Sequence, residues 1–218
     1  MNESGGFIRV KRFGTSLAFI LFPLVFVFAF AGHSDLLSPH FLTPQELIVR
    51  ARGDALLQFG HALVTLNTGL LIVASIHFMR LLDSTSSAWA GLVGAILAVL
   101  GALMLAADKG ALCLTMSALD KLPNEEFSQM MPGLLVMFAK EGWLVLLWGI
   151  MLLPIGFAIQ AVGLLRSKVI PRWQSAFLLV GVLFVATPDG VEIVNLTASI
   201  LLAVAFVPYG IRLISNRS

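Results

Sequence analysis

Polar side chains recur at helical spacing inside an apolar segment of this sequence. The first polar row consists of Asp54, Gln58, His61, Thr65 and Thr68, separated by four, three, four and three residues. Residues three and four apart share one face of an α-helix, so the row descends about 21 Å along that face. Hydrocarbon cannot solvate such groups, and the row therefore indicates a polar pocket or contacts between buried helices.

A second polar row lies closer to the C-terminus. It consists of Asp189, Glu192, Asn195 and Ser199. Glu192 is its most demanding member, because an ionised carboxylate inside an apolar segment must be paired, hydrated or protonated. The candidate cations that the sequence offers for this carboxylate are Lys109, Lys140 and a protonated His61.

Two pairs of adjacent opposite charges form another candidate site, Asp108 with Lys109 and Lys140 with Glu141. Asn124 lies sixteen residues from both Asp108 and Lys140, in a turn-forming stretch. A helical hairpin that turns there would bring each charge beside an opposite one. Because exposed ion pairs contribute only about 0–1 kcal/mol each, we interpret these four residues as a structural clasp at the membrane surface.

Metal binding by the two polar rows is a secondary interpretation. The candidate ligands are His61, Asp54, Asp189 and Glu192, since carboxylates and an imidazole suit zinc or manganese. We predict no cofactor. A haem site is not expected, because His61 and His77 lie about 24 Å and about 160° apart on one helix. No nucleophile is marked beside Glu192 and His61, so the sequence favours a protein that is not an enzyme without deciding the question.

The segments that must position these groups are those of an integral membrane protein. Hydrophobic residues make up 58% of the 218 residues and charged residues only 12%, and one helical crossing needs roughly 20 apolar residues. We expect an all-α fold, a single transmembrane domain over residues 1–218 with about six spanning helices and an outer-face helical hairpin over residues 108–141. The predicted spans are about 14–32, 55–79, 88–107, 142–165, 173–187 and 190–211. The first span also fits a cleaved signal peptide, although we expect it to be retained.

The distribution of charge predicts the orientation of these spans. Nine of the fourteen Lys and Arg residues lie at one set of helix ends, and ten of the twelve acidic residues lie at the other. By the positive-inside rule, both termini are cytoplasmic. Both polar rows begin at the opposite, outer side, so we expect them to face each other and to line a pocket that opens outward. The basic balance reflects this topology, and nucleic acid is not an expected partner.

A short pattern at the fourth and fifth predicted spans is shared with other proteins. An apolar helix ends at Arg166-Ser167, and Pro171-Arg172-Trp173 opens the next helix. Over about residues 141–187 the chain resembles a family of small multi-pass bacterial inner-membrane proteins of unknown function. The resemblance implies a bacterial inner membrane and six or seven helices, and it implies no reaction or site residues.

Three classes of function stay open at this point. The leading one is an inner-membrane binding or accessory protein with a polar pocket on the periplasmic face. Besides membrane lipids, its expected partner is another subunit or a second copy of the chain, docked through the outer hairpin. The alternative is a small oligomeric transporter or channel, which needs a polar path through the inner half. An intramembrane metal-dependent or acid–base enzyme ranks third.

Overall fold

A computed structural model describes residues 5–33, 36–37, 40–139, 144–185 and 191–215. Within these ranges the chain forms eight α-helices and no strand. They are α1 (Gly5–Ala31), α2 (Pro44–Ala51), α3 (Ala55–Leu82), α4 (Ala88–Leu119), α5 (Asn124–Phe138), α6 (Leu144–Ser167), α7 (Arg172–Phe184) and α8 (Glu192–Ser215). Among the described residues, α1, α3, α4, α6 and α8 are long and apolar enough to cross a membrane. The expected all-helical class is confirmed.

Helix α4 is longer than the predicted third span. It has 32 residues and is therefore about 48 Å long, some 18 Å more than the apolar core of a bilayer. It continues through Asp108 and Lys109 because no proline or turn sequence interrupts the chain before Leu119. Helix α7, in contrast, has only 13 residues, which is fewer than the roughly 20 of a typical crossing.

Six of the helices pack in a closed ring. Each contacts the next in the order α1, α3, α4, α6, α7 and α8, and α8 closes the ring by packing against α1. The α4–α6 contact is the closest, because glycines face backbone there. A Cβ atom placed on Gly156 would lie 2.6 Å from the carbonyl oxygen of Gly94. Small residues allow this approach between helices in an apolar environment.

Aromatic side chains fill the centre of the ring. Phe19, Phe78 and Phe206 are fully buried, and their ring centroids lie 5.2 to 5.6 Å apart. On the other side of α3, Ser75 and Gln160 join α3 to α6. The Ser75 hydroxyl donates to the Gln160 amide oxygen at 3.2 Å, and the Gln160 amide donates back to the Ser75 carbonyl at 2.9 Å. The described helices are thus held by packing and by hydrogen bonds between buried polar groups.

A second apolar cluster lies at one end of the ring, where α2 and α5 meet the ends of α3 and α4. Its buried members include Ile48 of α2, Leu57 of α3, Met116 of α4 and Phe127 of α5. We call this end the outer end, after the predicted topology, and the opposite end the basic end. The apolar segments on either side of residues 120–123 therefore pack on α2 and on each other.

Helix α2 lies in the connection between the first two predicted spans, where the hydropathy pattern predicts no helix. The hydroxyl of Thr43 accepts from the Glu46 amide at 3.3 Å, while the Thr43 amide donates to the Glu46 carboxylate at 2.7 Å. This capping box, with Pro44 in the first turn, starts a helix. The signal is visible in the sequence, but eight residues are too few to show a helical period.

Candidate functional site

Charged and ionisable side chains from separate elements converge at the outer end of the ring. Glu192, the first residue of α8, is only 4% exposed. Its carboxylate oxygen Oε1 lies 3.6 Å from Nη1 of Arg50 and 3.9 Å from Nε2 of His33. The His33 ring in turn contacts the His61 ring of α3, with 6.4 Å between centroids. We call His33, Arg50, His61 and Glu192 the outer polar cluster.

Local structure positions each member of this cluster. Arg50 lies in the last turn of α2, where a cation interacts favourably with the helix dipole. His33 follows the end of α1, and its ring stacks on Phe30 at a centroid distance of 6.1 Å. Glu192 occupies the first turn of α8, the favourable end for an anion. Three helix ends thus bring the cluster together.

The Arg50–Glu192 pair is largely shielded from water. Their side chains are 11% and 4% exposed, so both ions lose most of their hydration, and each depends on its protein partners. Burial is the largest effect on the pKa of His33 and lowers it. The Glu192 carboxylate acts to raise this pKa, and the Arg50 guanidinium acts to lower it. Because the net direction is downward, His33 is neutral near pH 7 and the cluster holds one positive and one negative group from Arg50 and Glu192.

Arg50 and His33 are the functional candidates that sequence patterns miss. The sequence offered Lys109, Lys140 and His61 as cations for Glu192, and the structure places Arg50 beside it, while Lys140 lies outside the described residues. Lys109 instead lies 3.7 Å from Asp108. No periodic pattern marks Arg50, because it sits on a short helix whose position depends on tertiary packing.

The outer members of the first polar row take part in local contacts. Asp54 caps α3, and its carboxylate accepts from the Leu57 amide at 2.9 Å. The Gln58 amide donates to the Asp120 carboxylate at 2.6 Å. The other oxygen of Asp120 accepts from the Gly53 amide at 2.9 Å. Asp54 and Gln58 therefore help to fix the α2–α3 turn against the end of α4.

Deeper members of the same row bond to their own helix. The Thr65 hydroxyl donates to the His61 carbonyl at 3.0 Å, and the Thr68 hydroxyl donates to the Thr65 carbonyl at 2.6 Å. Asn67, which is outside the row, joins α3 to α1 by donating to the Phe22 carbonyl at 3.0 Å. Of the first row, His61 belongs to the outer polar cluster, through the contact of its ring with the His33 ring.

The second polar row leads from Glu192 into the ring. Asn195 and Ser199 are buried, and the Ser199 hydroxyl donates to the Asn195 carbonyl at 2.7 Å. Asp189 lies outside the described residues. The two rows are on helices that both pack against α1, and His33, just after α1, links them at their outer ends. The structure thus connects His61 to Glu192 through His33, and the pocket expected between the two rows stays a prediction.

The clasp is described only in part. Asp108 and Lys109 lie side by side on α4, with 3.7 Å between the carboxylate and the ammonium group. Lys140 and Glu141 lie outside the described residues, so their pairing stays a prediction. As for a metal, the residues described contain no group of three or more His, Cys, Asp or Glu side chains placed to hold one.

Buried polar groups also occur toward the basic end. His77 Nε2 and the Tyr209 hydroxyl lie 2.7 Å apart, and both rings pack on Phe19. Gln174 is fully buried and donates to the Ala205 carbonyl at 2.7 Å. His77 therefore lies in an aromatic cluster and has a polar partner.

Comparison with known proteins yields no match, whether with protein-family models, curated proteins or solved structures. The resemblance over residues 141–187 therefore stays an interpretation of the sequence. Over the part of the chain that the structure describes, it defines a class of protein: a helical protein with five long apolar helices, which fit a multi-pass membrane protein.

Proposed function

We propose that the protein is a bacterial inner-membrane protein with cytoplasmic termini that binds a small ligand at its periplasmic face. Six crossings, with α7 as a short fifth one, would place both termini at the basic end. The excess of Lys and Arg at that end supports this orientation. The outer-face hairpin would consist of the outer part of α4 together with α5, which share the apolar cluster around Met116 and Phe127.

The observation that carries the proposal is the burial of Arg50 and Glu192 at 3.6 Å from each other on separate helices. Such a pair is a weak source of stability, because desolvation offsets much of the attraction. A guanidinium binds carboxylates through two parallel hydrogen bonds, and a carboxylate accepts from ammonium groups. A small zwitterion such as an amino acid could therefore separate the pair while giving each charge a new opposite partner.

His33, His61 and Asn195 would complete this site, with Asp54 and Gln58 at its outer approach and Thr65 one turn deeper than His61. Neutral imidazoles can donate or accept one hydrogen bond each, which suits the polar part of a ligand. Access would require α2 to move, since Arg50 covers Glu192. Helix α2 has only eight residues. Besides the apolar cluster, the contacts that hold it include the Arg52 guanidinium, which donates to the Leu122 carbonyl at 3.1 Å, so few contacts would have to break for such a movement.

A transporter or channel is a second candidate, favoured by the buried polar groups at the basic end. Glu192 at one end of α8 and the His77–Tyr209 pair near the other lie about 26 Å apart along the helix axis. Further buried polar side chains are Asn67 and Ser75 on α3 and Gln160 on α6. Polar groups at both ends are what a transport path requires, although an oligomer would be needed to form one.

Thermal unfolding of the purified full chain in detergent tests the binding proposal. We expect glycine or another amino acid to raise the melting temperature, whereas acetate and methylammonium, which carry one charge each, should have less effect. Arg50→Gln and Glu192→Gln should abolish the shift. Glu125→Gln, a matched change of an exposed carboxylate at the same end, should keep it.

Two results would contradict the proposal. One is an equal ligand shift in Glu192→Gln and the unmodified chain. The other is a Glu192→Gln variant that is more stable than the unmodified chain while no amino acid shifts either protein, which would identify Glu192 as a structural residue.

A further inference from the structure

An apolar groove runs along the outside of the ring, away from the outer polar cluster. Helix α6 forms its floor, and α4 and α7 form its walls. It has a volume of about 540 Å³. The residues that define it here are Met151, Ile155, Val162 and Arg166 on the floor, with Ala90 and Leu183 in the walls.

The groove lies at the depth of lipid acyl chains. From Met151 to Arg166 it extends over fifteen residues of α6, or about 22 Å along the helix axis. One leaflet of a bilayer has an apolar thickness of about 15 Å, half of the 30 Å core. The groove therefore covers the acyl region of the leaflet at the basic end and passes the middle of the bilayer.

Large apolar side chains are left exposed along this groove. Met151 is 42% exposed, Ile155 47% and Val162 37%. Each faces outward from the ring, where lipid is the surrounding medium. Because the walls stand on both sides of α6, a flexible acyl chain can contact three helices at once.

Positive charge lies at one end of the groove. Arg166 lines the groove itself and has an exposed side chain. Exposed Lys168 and Arg172 follow it in the turn to α7. Trp89, next to the wall residue Ala90, is 76% exposed, as is typical of side chains at the level of lipid head groups.

We infer that this groove binds an anionic phospholipid, with an acyl chain on α6 and the phosphate on Arg166. A guanidinium matches the geometry of a phosphate group, and basic pockets between transmembrane helices bind anionic head groups. A second copy of the chain in the same orientation is a poorer fit, because its own Lys168 and Arg172 would arrive at the same depth and repel this end. The site is independent of the proposed ligand site at the outer end.

Native mass spectrometry of the full chain tests this inference. Detergent-solubilised protein is mixed with equal amounts of phosphatidylglycerol and phosphatidylcholine that carry the same acyl chains. We expect phosphatidylglycerol to be retained preferentially. Arg166→Gln should lower its retention about fivefold, the effect of one basic residue near an anionic surface. Arg80→Gln is the matched control, an exposed arginine at the basic end of α3, and should not change retention.

A second variant tests the acyl part of the site. Ile155→Trp, which adds bulk on the groove floor far from the basic turn, should reduce retention of phosphatidylglycerol while leaving the chain monodisperse. Equal retention of both lipids, or equal losses in Arg166→Gln and Arg80→Gln, would overturn the inference. So would displacement of the bound lipid by inorganic phosphate alone, or a mass of two chains that replaces the lipid-bound species.

Discussion

Three glycines offer the same substitution in three different surroundings, and the structure predicts a different outcome for each. Gly156 on α6 faces the backbone of α4. A Cβ there would meet the backbone nitrogen of Ala98 and lie 2.6 Å from the Gly94 carbonyl oxygen. Backbone cannot rotate away, so Gly156→Ala must push α4 and α6 apart along their closest contact.

Gly163, two turns farther along α6, is an intermediate case. Its Cβ would lie 3.0 Å from the Cβ of Ala90 and 3.0 Å from a terminal methyl group of Leu82. The leucine can adjust, while the alanine Cβ can move only with its helix. Gly69 on α3 is the open case, because nothing lies within 4 Å of the added atom.

The expected sizes follow from two opposing effects. Alanine in place of glycine favours a helix by about 0.5–1 kcal/mol, and overpacking costs about 1–3 kcal/mol. Gly69→Ala should therefore raise the stability by up to about 1 kcal/mol. Gly163→Ala should be close to neutral, and Gly156→Ala should lose about 1–3 kcal/mol. For a chain of this size, each kcal/mol corresponds to about 2–4 °C in melting temperature.

Thermal unfolding of the three variants in one detergent, followed by tryptophan fluorescence, measures this order. The reasoning fails if Gly156→Ala melts at or above the temperature of Gly69→Ala. That result would mean that α4 and α6 do not approach backbone to backbone, and the ring order given above would then need revision.

Further predictions concern the outer end. Arg50→Gln and Glu192→Gln should each cost about 3–5 kcal/mol, because each leaves a buried charge without its partner. The double variant should lose less than the sum of the two, and additive losses in a double-mutant cycle would show that the pair does not interact. Burial lowers the pKa of His33, so the folded state keeps the imidazole neutral where the unfolded state binds a proton. The stability that depends on neutral His33 should therefore be fully present above about pH 6.5 and should decrease as the pH falls below this value. His33→Gln should flatten this dependence of stability on pH. An unchanged pH profile in this variant would show that His33 does not cause the dependence. Finally, a cysteine at Asp120 should react with an impermeant maleimide from the periplasmic side, and labelling only from the cytoplasmic side would reverse the topology.

Much of the fold can be predicted from hydropathy, because the bilayer imposes one strong requirement on spanning segments. The predicted segments at 55–79 and 88–107 begin at, or within a residue of, the observed starts of α3 and α4. The ends are harder to predict, since α4 continues for twelve residues past its predicted end. After Asp108, Lys109 and Gly110, most of those residues are apolar, and only packing decides whether they stay helical outside the membrane.

The candidate site is predictable only where its residues lie on long helices. Periodicity finds His61 and Glu192, because both stand out in apolar spans. Periodicity also selects Asp54 and Gln58. In the structure Asp54 caps α3 and Gln58 bonds to Asp120 beside the α2–α3 turn. Polar side chains are needed at the start of a helix as well as in a pocket, so the pattern alone does not separate the two roles. Periodicity does not find Arg50 and His33, because the residue that both contact, Glu192, lies more than 140 residues away in the sequence.

The register of α1 against α8 explains why His33 meets Glu192. The two helices pack with Phe19 against Phe206, whose ring centroids lie 5.6 Å apart. His33 lies fourteen residues after Phe19, and Glu192 lies fourteen residues before Phe206. The two helices are antiparallel, so equal steps of about 21 Å lead from the aromatic core to the same outer level. The outer polar cluster therefore lies at the seam where the first and last helices close the ring, and its assembly requires that the whole chain has folded.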